Sequence, residues 1–571
     1  MKKNIIEAFK YFLIAITITL FSNCETLDLE VENNPNALSP EDSDIDFFLN
    51  ANQIGLAEFI SGIAGDGFTG ASRMAMEPVR MINGGGSIYR SMYAPGDFFR
   101  VWETAYSTVL ADVKTMIPIA EERGLYTHVG IAQIIESYVM LTLVDLFGDV
   151  PYSQIIDGNN LNPALDSGES IYEAIDLLLL EAIANFNKTE LAEPTNDLFY
   201  GGDESKWIKL ANTLRLKLYL QTRLADTDFF NEAKSTSVIN SLISAGNLIL
   251  SSDDDFQFQW GTNSIAPDSR HPYFEKNYTV TGPSSNFYFA NYYMNLMANR
   301  YSIADPRTRY YFYRQAGDFS AADVNTKECV TQSIPSWYDA DDIYCTVPNT
   351  NGFDGLWGRN HLDSDGIPPD DQYRTIFGVY PVGGAFDDSS FRNMVSVNAP
   401  SEGLAGAGIT PIMLSSYTNF MLAEAALELG TTGSARTYLE AGLDQSIEKV
   451  MNFGSSVASS SDDPSTIPTT DDIDSYKLDV LNDYDTGDQL EVIVEQYFIA
   501  LWTNGIEAYN TYRRTGYPDN LTPGVDVENS GTFIRSHWYP ENAANRNSSI
   551  TQKSGVDIPV FWDTNAEGFV N

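Results

Sequence analysis

Apolar residues recur at helical spacing over two long stretches of this chain. In the first, from about Asp97 to Gly246, Ile131, Ile134, Ile135, Tyr138 and Leu141 fall on one face, as do Trp207, Leu210, Ala211, Leu214 and Leu218. In the second, from Pro411 to about Arg513, Leu414, Tyr417, Met421 and Ala425 form one stripe, and Ile493, Tyr497 and Ala500 another. Between them, from about Leu248 to Thr410, Gly, Pro, Asp and aromatic residues break every period. That texture predicts loop, a few short strands and one helix near Asn286 to Asn299. The helices come in pairs: Phe98 to Arg123 with Tyr126 to Phe147, and Ile412 to Leu429 with Ser434 to Met451, have the length of tetratricopeptide hairpins. No strict period of about 34 residues survives. The pattern therefore predicts a mainly α fold. A tetratricopeptide-like scaffold of helical pairs covers about 46–247 and 411–513, a large irregular loop-rich insertion covers about 248–410, and a C-terminal tail covers 514–571. Ser455 to Asp474, rich in Ser, Asp, Thr and Pro, reads as a solvated loop. Binding groups are commonly carried on loops held by a rigid frame, so the insertion is the first place to look for a site.

The amino terminus has a different texture. Lys2-Lys3 precede an apolar run from Tyr11 to Phe21, too short to span a bilayer and of the length of a secretory signal. Residues 1–23 read as a cleaved signal peptide and residues 24–571 as one domain. The run ends Leu20-Phe21-Ser22-Asn23-Cys24, which resembles a bacterial lipobox and implies a lipidated Cys24. The acidic string Glu25, Asp28, Glu30 and Glu32 resembles the surface-export signal of lipoproteins in Bacteroidota-type bacteria.

Of the 571 residues, 43% are hydrophobic and 12% aromatic, enough for a large core and incompatible with a disordered chain. The formal charge is −44, and about −46 once residues 1–23 are removed. A polyanion forfeits the counterion release that drives nucleic-acid binding, and no basic patch restores it, so nucleic acid is excluded as a partner. Cys329 and Cys345 enclose fifteen residues of polar, turn-rich chain. In an oxidising compartment they predict a disulfide worth about 3 kcal/mol, the alternative being two buried thiols.

Catalytic patterns are absent from the sequence. His128, His271, His361 and His537 belong to no zinc-binding spacing, no Walker lysine follows a glycine loop, and no G-x-S-x-G elbow occurs. Paired carboxylates carry no signal in a chain with 78 acidic residues. No cofactor is implied. Asp363, Asp365 and Asp370 form an oxygen-rich turn that could hold a structural calcium, although it lacks the terminal glutamate of an EF-hand loop.

Several phrases, in order along the chain, resemble the SusD/RagB family of nutrient-binding outer-membrane lipoproteins. They are VDLFGDVPYSQ (Val144 to Gln154), SKWIKLANTLRLKLYLQTR (Ser205 to Arg223), Asp305-Pro306-Arg307, GRNHLDSDGIPPD (Gly358 to Asp370), FGVYPVGGAFD (Phe377 to Asp387), SYTNFMLAEAALELG (Ser416 to Gly430), YRRTGYP (Tyr512 to Pro518) and YPENAANRN (Tyr539 to Asn547). The GIPPD and YPVGG phrases point to the subgroup called SusD-like 2. Each phrase also has a physical reading. Gly148 and Pro151 end a helix while Asp149 can accept from nearby amides. Arg215, Arg513 and Arg514 serve carboxylates or helix-end carbonyls. Ala423, Ala425 and Ala426 let neighbouring helices approach.

The resemblance implies a non-catalytic lipoprotein anchored outside the outer membrane. Such a protein captures oligomeric nutrients, glycan oligosaccharides foremost, and hands them to a SusC-like TonB-dependent outer-membrane transporter. An oligopeptide-binding member of the same family and a secreted glycoside hydrolase are the alternatives. Loop aromatics are the candidate ligand platform, because exposed rings stack on sugar C–H faces or on peptide side chains. Trp337, Tyr338 and Trp357 lead, joined by Tyr344, Phe353, Tyr89 and Tyr93; Trp102, Trp207 and Trp502, placed within helices, are core. Cys24→Ser is expected to move the protein from the membrane to the soluble fraction. Fractionation with lipid labelling checks this, and a variant that stays membrane-bound and labelled would sink the anchor assignment.

Overall fold

The computed structural model describes residues 43–63, 69–83, 88–155, 160–278, 288–317, 333–345, 347–363, 374–377, 379–381, 386–392, 403–457, 464–525, 531–566 and 568–570. Cys24, Cys329, Asp365 and Asp370 lie outside them. Ile45–Asn571 forms one unit.

Its centre is a helix buried on every side. Helix α1 spans Ile45–Ser61 and α2 Ala71–Met76; α3 (Ala111–Glu122) follows a π-helical stretch, Thr104–Leu110; α4 is Tyr126–Phe147. Every residue of α4 from Thr127 to Phe147 is buried. The sequence placed one face of this helix inward, and the structure corrects that reading. Helices α1 and α3 pack on α4, as do α5 (Gly168–Phe186) and α6 (Glu204–Gln221), leaving no outward face. By length and composition α4 would suffice to cross a bilayer, yet here it is core. Gly148, at φ +77°, ends it, and Asp149 then accepts from the Gly168 amide at 2.9 Å at the start of α5.

Successive helices pack as hairpins, as the hydrophobic periodicity predicts. Helix α7 (Glu232–Ala245) lies on α6; after the insertion, which carries α8 (Asn291–Asn299) and two shorter helices, Pro272–Tyr278 and Thr308–Tyr311, where one helix was expected, come α9 (Ser415–Glu428), α10 (Ala435–Val457), α11 (Thr470–Thr486), α12 (Gln489–Ala500) and α13 (Gly505–Thr515). Side chains cap the starts: Asp203 accepts from the Ser205 amide, Asn231 from Lys234, and Asp488 from Leu490 and Glu491. The expected loop at Ser455 to Asp474 is shorter than its composition suggests. Helix α10 runs to Val457, and a Thr469–Asp472 capping box starts α11 inside the polar stretch.

The insertion contributes short antiparallel pairs: β1 (Ile82–Asn83) with β3 (Tyr288–Phe289), β2 (Phe256–Gln259) with β6 (Ile409–Met413), and β4 (Phe312–Tyr313) with β5 (Ile376–Phe377). Helix α8 starts at Asn291 because Tyr288 and Phe289 pair with Asn83 and Ile82 instead of entering the helix.

Buried polar contacts tie distant helices together. Asp145 of α4 accepts from Lys217 of α6 at 3.2 Å, Asn510 of α13 at 2.7 Å, Trp562 at 3.0 Å, and the Tyr172 hydroxyl of α5. Lys217 also meets Glu507 of α13 at 3.2 Å. Burial works against the Lys217 ammonium, but Asp145 and Glu507 outweigh it and hold its pKa above the usual lysine value. A second knot joins Glu424 of α9 to Arg514 of α13 through two bonds of 2.7 Å and to Arg223 at 2.9 Å. Asp305 and Arg307 are fully buried and bonded to each other. The family phrases around these residues thus hold the scaffold together.

Removing Asp145 strands Lys217 beside a single carboxylate and leaves three other donors unmatched. Asp145→Ala is expected to cost about 3–5 kcal/mol, read as a lower urea midpoint with an unchanged m-value. A second expectation concerns acid. His271 is fully buried, and burial pushes its imidazole down to about 3. Its neutral form is favoured by folding, so its contribution is complete above about pH 6.5 and drains away as pH falls toward 3, at about 1.4 kcal/mol per pH unit. Urea titrations between about pH 6 and 4 should give a shallower fall in stability for His271→Phe than for wild type. Equal slopes would refute the assignment.

Candidate functional site

A cleft of about 590 Å3 opens where the insertion meets the chain beyond α13. Five separated parts of the sequence line it: Arg80 and Tyr89; Tyr292 and Asn295 on α8; Trp337 with Asp339 and 341–343; the segments 519–524 and 531–533; and Gly568 with Val570.

The floor is aromatic and fixed. Tyr89 packs edge-on to Phe533 with ring centroids 5.5 Å apart, and its hydroxyl lies 3.1 Å from Nε2 of the buried His361. Burial raises the Tyr89 phenol to about 12, against the opposing charge of Arg80. Burial, reinforced by Arg80, holds His361 well below the usual histidine range, so the pair is neutral near pH 7. Arg80 lies beside both rings, 6.0 Å from each centroid, and donates through Nε to the Thr522 carbonyl and through Nη1 to that of Pro78. Its backbone sits at φ +60°, a conformation costing a non-glycine residue about 1 kcal/mol or more and accepted here because both carbonyls hold the side chain in place. Tyr292 donates to Oδ1 of Asn520 at 2.6 Å, closing the floor from the α8 side.

Trp337 forms the wall. It is half-buried, and its indole N–H donates to the Gly524 carbonyl at 3.1 Å, which fixes the ring while leaving part of its surface open. Tyr338 is buried beneath it, bonded to the Pro523 carbonyl and edge-on to the half-buried Tyr344. Burial, with Asp342 and Asp363 adding to it, raises the Tyr338 phenol well above its usual value, so it stays a neutral donor. Cys345 closes the segment, buried and disulfide-bonded; its expected partner Cys329 lies outside the described residues. Asp339, Asp341, Asp342 and Asp519 form the rim.

The other expected platform residues are packed away. Trp357 is 3% exposed, its amide bonded to Thr375 Oγ1. Tyr93 is 2% exposed, packed on Phe98 and His537 and bonded to Glu77. Phe353 lies with Arg309 and Arg314 each 4.9 Å from its ring centroid, at the edge of a separate cavity of about 280 Å3. Their rings bury more area in the core than a loop surface would offer, which corrects the expectation that they stand exposed. Trp207 and Trp502 are fully buried as expected, whereas Trp102 is half-buried. In the proposed calcium turn, Asp363 lies 3.6 Å from Arg359, and among the described residues no cluster of three or more metal-ligating side chains occurs.

Sequence reading missed Arg80, Tyr292, Phe533 and the 519–524 segment. Tyr292 carries the spacing of a helix face, and the others belong to no motif. Their only shared signal is spatial.

Residues 72–343 match the family described as "Starch-binding associating with outer membrane", and residues 391–557 match that described as "Susd and RagB outer membrane lipoprotein". No curated protein matches the sequence. Solved structures share the fold. A chitin-binding protein aligns over 91% of this chain and 100% of its own at 19% identity, TM-score 0.63. A SusD/RagB family protein from Bacteroides thetaiotaomicron aligns over 92% and 100% at 19% identity, TM-score 0.62. A chitin-binding SusD homolog from Flavobacterium johnsoniae aligns over 91% and 99% at 17% identity, TM-score 0.59. The phrases spread from Val144 to Asn547, the two family matches and the shared helical fold agree, and the chain belongs to the SusD/RagB family of outer-membrane lipoproteins.

Proposed function

We propose that this chain is a non-catalytic binding protein, anchored through Cys24, that captures glycan oligosaccharides in the cleft beside Trp337 and passes them to a TonB-dependent outer-membrane transporter. The observation that carries this reading is Trp337: a tryptophan half-open to an aromatic-floored cleft and fixed by a single bond to Gly524. A ring held in this way offers an apolar face to a sugar at little cost in side-chain entropy, while Asn295, Asn520 and the rim carboxylates can bond hydroxyls. The family descriptions, starch-binding and outer-membrane lipoprotein, support the same reading, as do two structural relatives described as chitin-binding. Handover asks for moderate affinity, which one stacking wall over a wide cleft supplies. Behind the cleft floor, burial keeps Tyr89 and the His361 beneath it neutral, an arrangement suited to orienting a ligand and not to activating water.

Calorimetry with starch- and chitin-derived oligosaccharides tests this. Trp337→Ala is expected to weaken binding by about 0.5–1.5 kcal/mol beyond lost contact area and to leave the thermal midpoint unchanged. Trp357→Ala is expected to do the reverse, lowering the midpoint by its loss from the core, where such truncations cost about 3–5 kcal/mol. Release of shortened products would identify a hydrolase instead. Failure of every oligosaccharide to bind wild-type protein would remove the glycan reading.

A further inference from the structure

Four side chains from three separate parts of the chain donate hydrogen bonds to one short stretch beyond α13. Tyr292 of α8 donates to Oδ1 of Asn520 at 2.6 Å, Arg80 to the Thr522 carbonyl at 3.2 Å, Tyr338 to the Pro523 carbonyl at 3.1 Å and Trp337 to the Gly524 carbonyl at 3.1 Å. Each donor lies 185 or more positions away in sequence. Tyr292, Arg80 and Tyr338 are buried, whereas Trp337 is half-buried and lines the cleft.

The local sequence explains why this stretch accepts from side chains. Pro523 has no N–H and a fixed φ, and it biases Thr522 toward extended backbone, so the stretch suits neither a helix nor a central strand. It belongs to none of the described sheets. Main-chain carbonyls shielded from water must find donors, and here three consecutive ones, from Thr522 to Gly524, find them on the side chains that build the cleft. The bonds converge on the ring that faces the ligand. An indole on a loop turns about two side-chain torsions, and its bond to Gly524 removes that freedom only while Gly524 is itself held. Gly524 follows directly on the residues that Tyr338 and Arg80 hold. A ring set loose has to be ordered when ligand arrives, and that ordering is paid out of affinity.

We propose that residues 519–524 form a strap that sets the affinity of the cleft for its glycan by fixing Trp337, and that Tyr338, Tyr292 and Arg80 are positioning residues acting through this strap. This rests on the glycan-binding reading above and adds what tunes it. The affinity is adjusted from behind the wall, by groups that need not touch the sugar.

Calorimetry of the full mature chain with maltohexaose and with N-acetylglucosamine hexamer tests this, together with fluorine NMR of protein carrying fluorotryptophan. Arg80 holds two carbonyls from a left-handed backbone position, so replacing it puts the fold at risk. Tyr338→Phe and Tyr292→Phe delete one hydroxyl each and keep the ring. Each is expected to weaken the hexamer that wild type binds by about threefold to tenfold, the effect of one hydrogen bond, with a thermal midpoint within about 2 °C of wild type. In a Trp337→Ala background the same deletions should leave affinity unchanged, because the strap acts through that ring. Without ligand, the fluorine resonance of Trp337, identified by its loss in Trp337→Phe, should shift or broaden in both deletions. Wild-type affinity in both deletions, with Trp337→Ala weakened, overturns the strap and leaves the glycan reading standing. Equal losses with and without Trp337 overturn it too, since the hydroxyls then act by direct contact or general support. Binding of neither hexamer to wild type removes the glycan reading; the hold on Trp337 is then decided by the fluorine resonance, and a signal unmoved in both deletions overturns it.

Discussion

Asp145 is the constraint around which the fold is arranged. A carboxylate at 0% exposure can stay in the core only if its oxygens are matched, and here the donors come from α5, α6, α13 and the C-terminal tail. None of these elements can shift without breaking a bond in low dielectric. Hydrophobic burial supplies the bulk of the driving force, but it is non-directional. The polar knots at Asp145 and Glu424 select one arrangement of helices among the many that would bury similar area.

The cleft inherits its geometry from the same frame. Helix α13 provides Asn510 and Glu507 to the Asp145 knot, and its other residues position the cleft walls. Tyr509 donates to the Ile534 carbonyl at 2.6 Å and Arg513 to that of Arg535 at 2.6 Å, fixing the chain next to Phe533. At its end, Gly516 at φ +78° turns the chain toward 519–524, where Thr522 accepts from Arg80 and Gly524 from Trp337. Scaffold and site are thus coupled through one short helix. The Trp337 wall of the cleft is thereby tied by hydrogen bonds to the core behind it.

The helical hairpins were legible because a 3.6-residue period is local; Ile131 to Leu141 and Leu414 to Ala425 announce helices without knowledge of any partner. What covers each face was not legible. Helix α4 looked one-sided in sequence and is enclosed, because its polar residues, Gln133, Glu136 and Asp145 among them, find partners inside the core, Glu136 through one of its two oxygens. In Ala423-Glu424-Ala425 the small residues announce a close helix contact locally, whereas the charge of Glu424 meets its partner Arg514 only 90 positions away. The site was legible only in part. Trp337 and Trp357 look alike in sequence, both on polar loops with aspartate nearby, and tertiary packing alone leaves one half-open and the other enclosed. Arg80, Tyr292 and Phe533 meet Trp337 only after the chain has folded, so no local pattern could nominate them.

Enclosure of α4 also bears on the chain before it folds. In an unfolded chain a segment of 22 residues with the length and hydropathy of a membrane span is open to any bilayer it meets. Glu136 sits at its midpoint, bonded in the folded protein to Tyr152 and Lys114. A charged side chain at the centre of a would-be span costs about 2.5–3.5 kcal/mol on insertion. The carboxylate that the folded core has to accommodate is thus also a charge that disfavours α4 as a membrane span.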